Sequence, residues 1–246
     1  MRTVEWFDKW FDSPYYHILY KNRDYNEAGA FIDKLVDYLA VKPHHKILDL
    51  ACGKGRHSIY LNKKGFDVVG ADLSEQSIVK ASQYANDRLH FEVHDMREEF
   101  AHNEFDFILN LFTSFGYFET KAEHEQAIHS VAEAMKDHGV FVLDFLNPYT
   151  VINHLTPIEE KQIEGINFHI SKDVSDDDYI LKDIRFTDEG ENYHFQEKVK
   201  ALRRADFLEY FEKSGLKVID IFGDYDLNSY LAEKSERMIF VVEKQL

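Results

Sequence analysis

Apolar positions recur along this chain with two periods. Between Asn26 and Leu39, residues Phe31, Ile32, Leu35, Val36 and Leu39 fall on one helical face, and Pro43 stops the pattern. Lys46-Ile-Leu-Asp-Leu-Ala51 is a short apolar run that reads as a buried strand. Gly53 and Gly55 follow, then a helical pattern to about Lys64, closed by Gly65. Phe66 to Ala71 reads as a second strand, ending at Asp72, and Ser74 as the N-cap of a helix reaching Asn86. Leu89–Val93 and Phe105–Leu111 supply a third and a fourth strand. Thr120-Lys-Ala-Glu123 has the capping-box pattern, and Ile128, Val131 and Met135 give its helix a buried stripe. Gly139 is expected to end that helix, with Val140 to Phe145 as a fifth strand. Strands alternating with helices predict βαβ units and a mostly parallel sheet.

The character changes after Pro157. Residues 161–200 alternate apolar and charged groups, with Asp176-Asp-Asp178 and Asp188-Glu-Gly190 between the runs, which predicts an antiparallel three-stranded insertion with polar turns. Helical periodicity returns from Arg203 to Lys213 and stops at Gly215. Leu216–Phe222 and Met238–Glu243 complete the chain as two strands joined by a long loop. The expected organisation is one domain over 1–246, an N-terminal cap at 1–25, and a β insertion at 158–202 that acts as a lid or a dimer arm.

Composition narrows the partners. Lys and Arg total 29 against 45 Asp and Glu, a formal charge of −16 that repels phosphate backbones. Nucleic acid is therefore not expected as substrate, and Lys198 to Arg204 is too short and too broken by apolar residues to reverse that. The single cysteine, Cys52, excludes an internal disulfide and a multi-cysteine metal site. No run approaches the roughly 18 apolar residues of a membrane span, and the first residues have no apolar signal core. A cytoplasmic protein, monomer or homodimer, is the expectation.

The chemistry concentrates where the first strand meets the first following helix. In Asp49-Leu-Ala-Cys-Gly53-Lys-Gly55 the glycines let backbone approach a ligand, and a helix N-terminus offers free N–H groups. Asp72, 17 residues beyond Gly55, ends the next strand, where a carboxylate can accept from a ribose diol. A dinucleotide fingerprint needs a third glycine, but position 58 is Ser. Asp49 is also ill placed beside a pyrophosphate and well placed near an ammonium group. S-adenosylmethionine, with a ribose, a sulfonium and an amino acid tail but no phosphate, suits both.

Lys46-Ile-Leu-Asp-Leu-Ala-Cys-Gly-Lys-Gly-Arg56 resembles the first motif of class I S-adenosylmethionine-dependent methyltransferases, and Gly70-Ala-Asp72-Leu-Ser74 their acidic ribose loop. His94-Asp95-Met-Arg97 resembles their adenine motif, and Phe105-Asp-Phe-Ile-Leu-Asn110-Leu-Phe the fourth-strand motif that faces the methyl group. The resemblance runs from Lys46 to Asn147. It implies a Rossmann-like α/β fold: a seven-stranded mostly parallel sheet, last strand antiparallel, helices on both faces, the antiparallel insertion as lid. It also implies that Ala51, Gly53 and Gly55 pass the methionine portion and that Asp72 with Leu73 holds the ribose. Asp95 and Met96 would take the adenine, and Asn110 and Leu111 would lie near the sulfonium. Many members carry glycine where Ala51 stands.

Pro14-Tyr15-Tyr16-His17-Ile-Leu-Tyr20-Lys-Asn-Arg23-Asp-Tyr25 resembles the N-terminal cap of small-molecule N-methyltransferases of the sugar N,N-dimethyltransferase and glycine-methylating types. By that resemblance Tyr16, Tyr20 or Arg23 meets the cofactor carboxylate; the plainer reading is an aromatic helix packing on a sheet. Asn147 and Tyr149 are expected as walls of the acceptor pocket, Arg237 as an ion-pair partner, and His57 as a surface residue. The reaction expected is in-line displacement of a methyl group onto nitrogen or oxygen of a small molecule. RNA or protein methylation, and a non-catalytic cofactor-binding module, stay open as alternatives.

Overall fold

A computed structural model describes residues 5–21 and 25–245, so Arg23 lies outside the described residues. Two short helices, α1 (Trp6–Phe11) and α2 (Pro14–Leu19), precede α3 (Tyr25–Tyr38). Then come β1 (Lys46–Leu50), α4 (Arg56–Lys63), β2 (Asp67–Asp72), α5 (Glu75–Ala81), β3 (Leu89–Val93), β4 (Phe105–Asn110), α6 (Lys121–Ala134), β5 (Met135–Leu146) and α7 (Pro148–Asn153). The insertion is β6 (Ile158–Ile163), β7 (Ile166–Val174), β8 (Tyr179–Asp188) and β9 (Glu191–Lys200). The chain finishes with α8 (Arg204–Lys213), β10 (Leu216–Phe222) and β11 (Arg237–Lys244).

Seven strands form one sheet in the order β10-β11-β5-β4-β1-β2-β3. Strands β1 to β5 run parallel, while β11 lies antiparallel to both β5 and β10. The apolar runs at β1, β4 and β11 explain their place in the middle, where both faces are covered. One face buries Ile128 and Val131 of α6 with Phe207 and Phe211 of α8. The other buries Phe31, Ile32 and Leu35 of α3 with Leu61 of α4. The chain leaves β1 toward β2 and β3, then returns to β4 on the opposite side. This reversal opens a crevice at the carboxyl ends of β1 and β4, where doubly wound sheets take their ligands.

Two elements differ from expectation. α6 is capped as predicted, with Thr120 and Glu123 bonding reciprocally, but it stops at Ala134, and Gly139 lies within β5. A side chain at Gly139 would stand 2.8 Å from the Lys136 carbonyl, beside the register shift between Phe105 and Phe107. The glycine therefore marks a strand irregularity, a role as common for it as ending a helix. The insertion has four strands instead of three. Glu164 and Gly165, both at positive φ, form a tight two-residue turn that adds β6 at the edge.

The N-terminal helices pack on the insertion. Trp10 and Leu19 share a core with Ile166, Phe168, Ile170, Ile184 and Phe186. Tyr15 also donates to Asp188 at 2.9 Å. The plainer reading of this segment thus holds for one of its faces. Among the described residues no helix is long and apolar enough to cross a membrane.

Candidate functional site

The β1–β4 crevice continues into a cavity that is partly open to solvent. Its floor starts at Leu50 and Ala51, where β1 ends. Ala51 sits at φ 61°, a left-handed conformation that suits glycine better than alanine. That backbone requirement explains the glycine found here in the resembled family, and alanine is the smallest side chain that can replace it. Gly53 follows at φ 57° with nothing within 4 Å of an added Cβ, so bare backbone faces the space beside it.

Asp72 closes the turn from the end of β2. It accepts from the Gly53 N–H at 2.7 Å and from the Ser74 N–H at 2.8 Å. Burial pushes its pKa upward, partly opposed by those two bonds. The carboxylate is thereby fixed in orientation, with lone pairs left for a ligand. Asp12 reaches across from the N-terminal segment, accepting from Ser74 Oγ at 2.7 Å and the Gln76 N–H at 3.3 Å. His94, Asp95 and Met96 line the cavity after β3. Arg97 holds Asp95 through a 2.8 Å ion pair and also bonds Glu5 and Glu123. Hydrogen bonds to Asp95 and Glu5 leave the Arg97 guanidinium more basic than usual, against the opposing effect of its burial.

After β4 the chain makes a strained turn. Phe112 and Thr113 both have positive φ, 61° and 59°, which is an outlier for a β-branched residue. Asp144, fully buried on β5, accepts the Phe112 N–H at 2.7 Å and the Tyr225 hydroxyl at 3.1 Å. Arg237 donates to Asp144 at 2.8 Å and to Thr113 Oγ1 at 2.7 Å, so it is the ion-pair partner expected. Phe112, Thr113 and Ser114 line the cavity as a result.

The remaining wall comes from Phe7, Phe11, Tyr16, His17 and Tyr20 of the N-terminal segment, and from Glu197 and Val199 of β9. Residues 197 and 199 share a face of the strand, as alternation requires. His17 Nε2 is buried without a hydrogen-bond partner, and burial lowers the His17 pKa to about 4, so the ring is neutral at pH 7.

Tyr16, Tyr20, Ala51, Gly53, Asp72, Leu73, Asp95 and Met96 are brought together around this cavity. Others expected there are not part of its lining. Asp49 is buried in the sheet, where Ser58 Oγ donates to it at 2.5 Å, and burial raises its pKa to about 6. Gly55, at φ 76°, is the N-cap of α4, and a Cβ there would meet the Phe91 ring at 2.6 Å. Asn110 donates to the Leu50 carbonyl at 3.1 Å from behind the floor, and Leu111 packs in the core. Asn147 is the N-cap of α7 and ties the loop before β11 through the Ala232 and Ser235 carbonyls, while Tyr149 is exposed. His57 is not at the surface but stacks on Phe112 at 4.9 Å.

The lining fits S-adenosylmethionine better than a phosphate-bearing cofactor. Asp72 and Asp95 suit hydroxyl, amino and sulfonium groups, and among the described residues no Lys or Arg lines the cavity. The Asn110 Oδ1, buried without a partner next to the Leu50 carbonyl, leaves one further acceptor beside the floor.

Comparison with known proteins agrees. Residues 47–139 match the methyltransferase domain family. This stretch is a methyltransferase domain, and its motifs and sheet order resemble those of the class I S-adenosylmethionine-dependent methyltransferases. The chain is 27% identical to a dTDP-3-amino-3,4,6-trideoxy-alpha-D-glucopyranose N,N-dimethyltransferase of Streptomyces venezuelae, over 80% of this chain and 86% of that one. It is also 27% identical to the glycine/sarcosine/dimethylglycine N-methyltransferase of Actinopolyspora halophila, over 96% of this chain but only 41% of that relative. A solved S-adenosylmethionine-dependent methyltransferase from Clostridium acetobutylicum superposes with a TM-score of 0.77 at 21% identity, covering 94% of this methyltransferase and 96% of its own chain. Its cofactor is S-adenosylmethionine, in keeping with the cavity chemistry.

Proposed function

We propose that this methyltransferase transfers the methyl group to a nitrogen of a small-molecule acceptor. The observation that carries this reading is the roof over the cavity. Tyr16, His17 and Tyr20 approach from the N-terminal segment and Glu197 and Val199 from β9, and together they enclose that side of the cavity, as suits a small molecule beneath. The relatives that act on nitrogen, with names that specify glycine, sarcosine and an amino sugar, support it.

When bound, S-adenosylmethionine supplies a methyl group made electrophilic by its sulfonium. Asp72, held by the Gly53 and Ser74 N–H groups, would take the ribose hydroxyls, with Leu73 beside it. Asp95 and Met96 would bind the adenine edge. Ala51 and Gly53 would pass the methionine portion, while Gly55, Asp49, Asn110 and Leu111 support that floor from behind. Phe112 and Thr113, in their fixed turn, would set the acceptor's approach. Positioning of this kind contributes on the order of 7–11 kcal/mol in favourable cases and needs no covalent intermediate on the enzyme. The aromatic roof excludes water, and neutral His17 offers an unclaimed ring nitrogen.

Calorimetric titration with the demethylated cofactor, followed by mass spectrometry of a panel of primary and secondary amines, tests the proposal. Binding with a 14 Da gain on nitrogen is expected; no binding at millimolar cofactor, or methyl groups found on oxygen alone, overturns it.

A further inference from the structure

The acceptor half of the cavity has a distinct electrical character. Every acidic or basic side chain that lines the cavity among the described residues, histidine apart, is a carboxylate: Asp72, Asp95 and Glu197. The first two belong to the cofactor reading above, which leaves Glu197 on the acceptor side. Trp10 Nε1 donates to Glu197 Oε1 at 2.7 Å, and the Tyr20 hydroxyl lies 2.6 and 2.8 Å from its two oxygens. Lys182, its cross-strand partner on β8, sits behind it at 3.5 Å and does not line the cavity. Burial lowers the Lys182 pKa, and the ammonium hydrogen-bonds to the Tyr20 hydroxyl. The ammonium also lies over the Tyr20 ring, 4.6 Å from its centroid, so of this ion pair only the carboxylate lines the cavity.

A run of aromatic rings leads to it. Tyr117 and Phe11 lie 5.2 Å apart between centroids, Phe11 and Tyr16 5.0 Å, and Tyr16 and Tyr20 5.0 Å. All four rings line the cavity, and the last one bonds Glu197. Ring faces attract cations, more strongly where water is displaced. Neutral His17, in the same wall, adds no repulsion.

Resting on the reading of the cavity as an N-methylation site, we propose that the acceptor is an amine that carries no carboxylate or phosphate near its nitrogen, selected as a cation by Glu197 and the Tyr117–Phe11–Tyr16–Tyr20 wall. Glu197 is the specificity-determining residue: it holds the acceptor as an ammonium and takes one of its protons, which frees the nitrogen lone pair to form the new N–CH3 bond as the S–CH3 bond breaks; the sulfide leaves neutral, and the rings receive the positive charge now on the methylated nitrogen. An anionic amine such as glycine, or an amino sugar on a nucleoside diphosphate, finds no Lys or Arg among the described residues of this lining to receive its charge.

The test uses the full-length protein saturated with the demethylated cofactor. Tetramethylammonium and acetate are titrated as probes of the acceptor half, and methyl transfer is measured with 2-aminoethanol and glycine, which differ chiefly in one charge. Tetramethylammonium is expected to bind and acetate not. Glu197→Gln should weaken tetramethylammonium by about tenfold, and Glu197→Asp, which keeps the charge, by much less. Where the two amines turn over, 2-aminoethanol should lead in kcat/KM by about tenfold, and the lead should shrink in Glu197→Gln. Melting temperature and cofactor affinity of each variant confirm that it has folded. Preference for glycine, binding of acetate, or equal tetramethylammonium affinity in Glu197→Gln overturns the inference while N-methylation stands. Loss of cofactor binding, or methylation on oxygen alone, removes the underlying reading with it.

Discussion

Replacing Asp144 with Asn tests how the floor of the site is held. Asp144 is fully buried and accepts from Phe112 N–H, Tyr225 and Arg237 at once. It holds two consecutive residues in left-handed backbone, where each non-glycine residue costs about 1–3 kcal/mol unless its surroundings enforce it. Asparagine keeps the shape but turns one oxygen into a donor, which must then face either the Phe112 N–H or the guanidinium. Breaking a buried ion pair from one side costs about 3–5 kcal/mol. Because the Arg237 side chain is 18% exposed, the lower end applies. About 3 kcal/mol in a chain of this size lowers Tm by about 6–12 °C. Scanning calorimetry reads the shift, and kcat/KM should fall as Phe112 and Thr113 relax. Asp144→Asn combined with Arg237→Met should be less destabilised than Asp144→Asn alone, since no guanidinium is left stranded. A Tm within about 2 °C of the parent, with unchanged methyl transfer, would show that the turn needs no buried carboxylate and refute the reasoning.

Asp72→Ala removes the acceptor for two backbone N–H groups and the proposed ribose ligand; calorimetry should show cofactor affinity lower by at least about tenfold. Gly70→Ala drives a Cβ to 2.6 Å from the Phe91 ring and 2.9 Å from Ser58 Oγ, so urea unfolding should report a loss of about 1–3 kcal/mol. His17 and His57, held down to about 4 and about 3, take up protons more readily unfolded than folded, so they make stability fall as pH drops below about 6.5. Asp49, raised to about 6, opposes them between about pH 4 and 6, because there the folded state holds its proton more tightly; denaturant midpoints across that range should decline toward acid, and more gently in His57→Phe.

The parallel half of the fold was legible because its strands are covered on both faces and read as plain apolar runs. The proposed cofactor residues were legible for a related reason: Gly53 and Asp95 follow strands of that half and Asp72 ends one, so position in sequence nearly fixes position in space. The expectation slipped at Asn110 and Leu111, the two residues just before the turn at Phe112–Ser114 that lines the cavity. No local pattern announces two successive left-handed non-glycine residues, since a carboxylate 32 positions later imposes them. Asn147 and Tyr149 looked like pocket walls because they follow a strand, yet capping and loop anchoring claim Asn147. Edge strand β6, with Glu159, Glu160 and Lys161 in succession, hid for the opposite reason: edges carry charge to discourage pairing with other chains. Glu197 was invisible because its meaning depends on Trp10 and Tyr20, 187 and 177 residues away.

β9 ties the insertion's side of the cavity to the body of the fold. Its outer end is tied to the turn region after β4, where the Lys200 N–H bonds the Gly116 carbonyl at 2.7 Å, while its Glu197 and Val199 face the cavity. The cofactor loops lie on other strands. On the proposed assignment of the two sides, substitutions at alternate positions of this one strand should alter acceptor choice while leaving cofactor capture intact, so the insertion would serve as a cassette for divergence and for engineered changes of substrate.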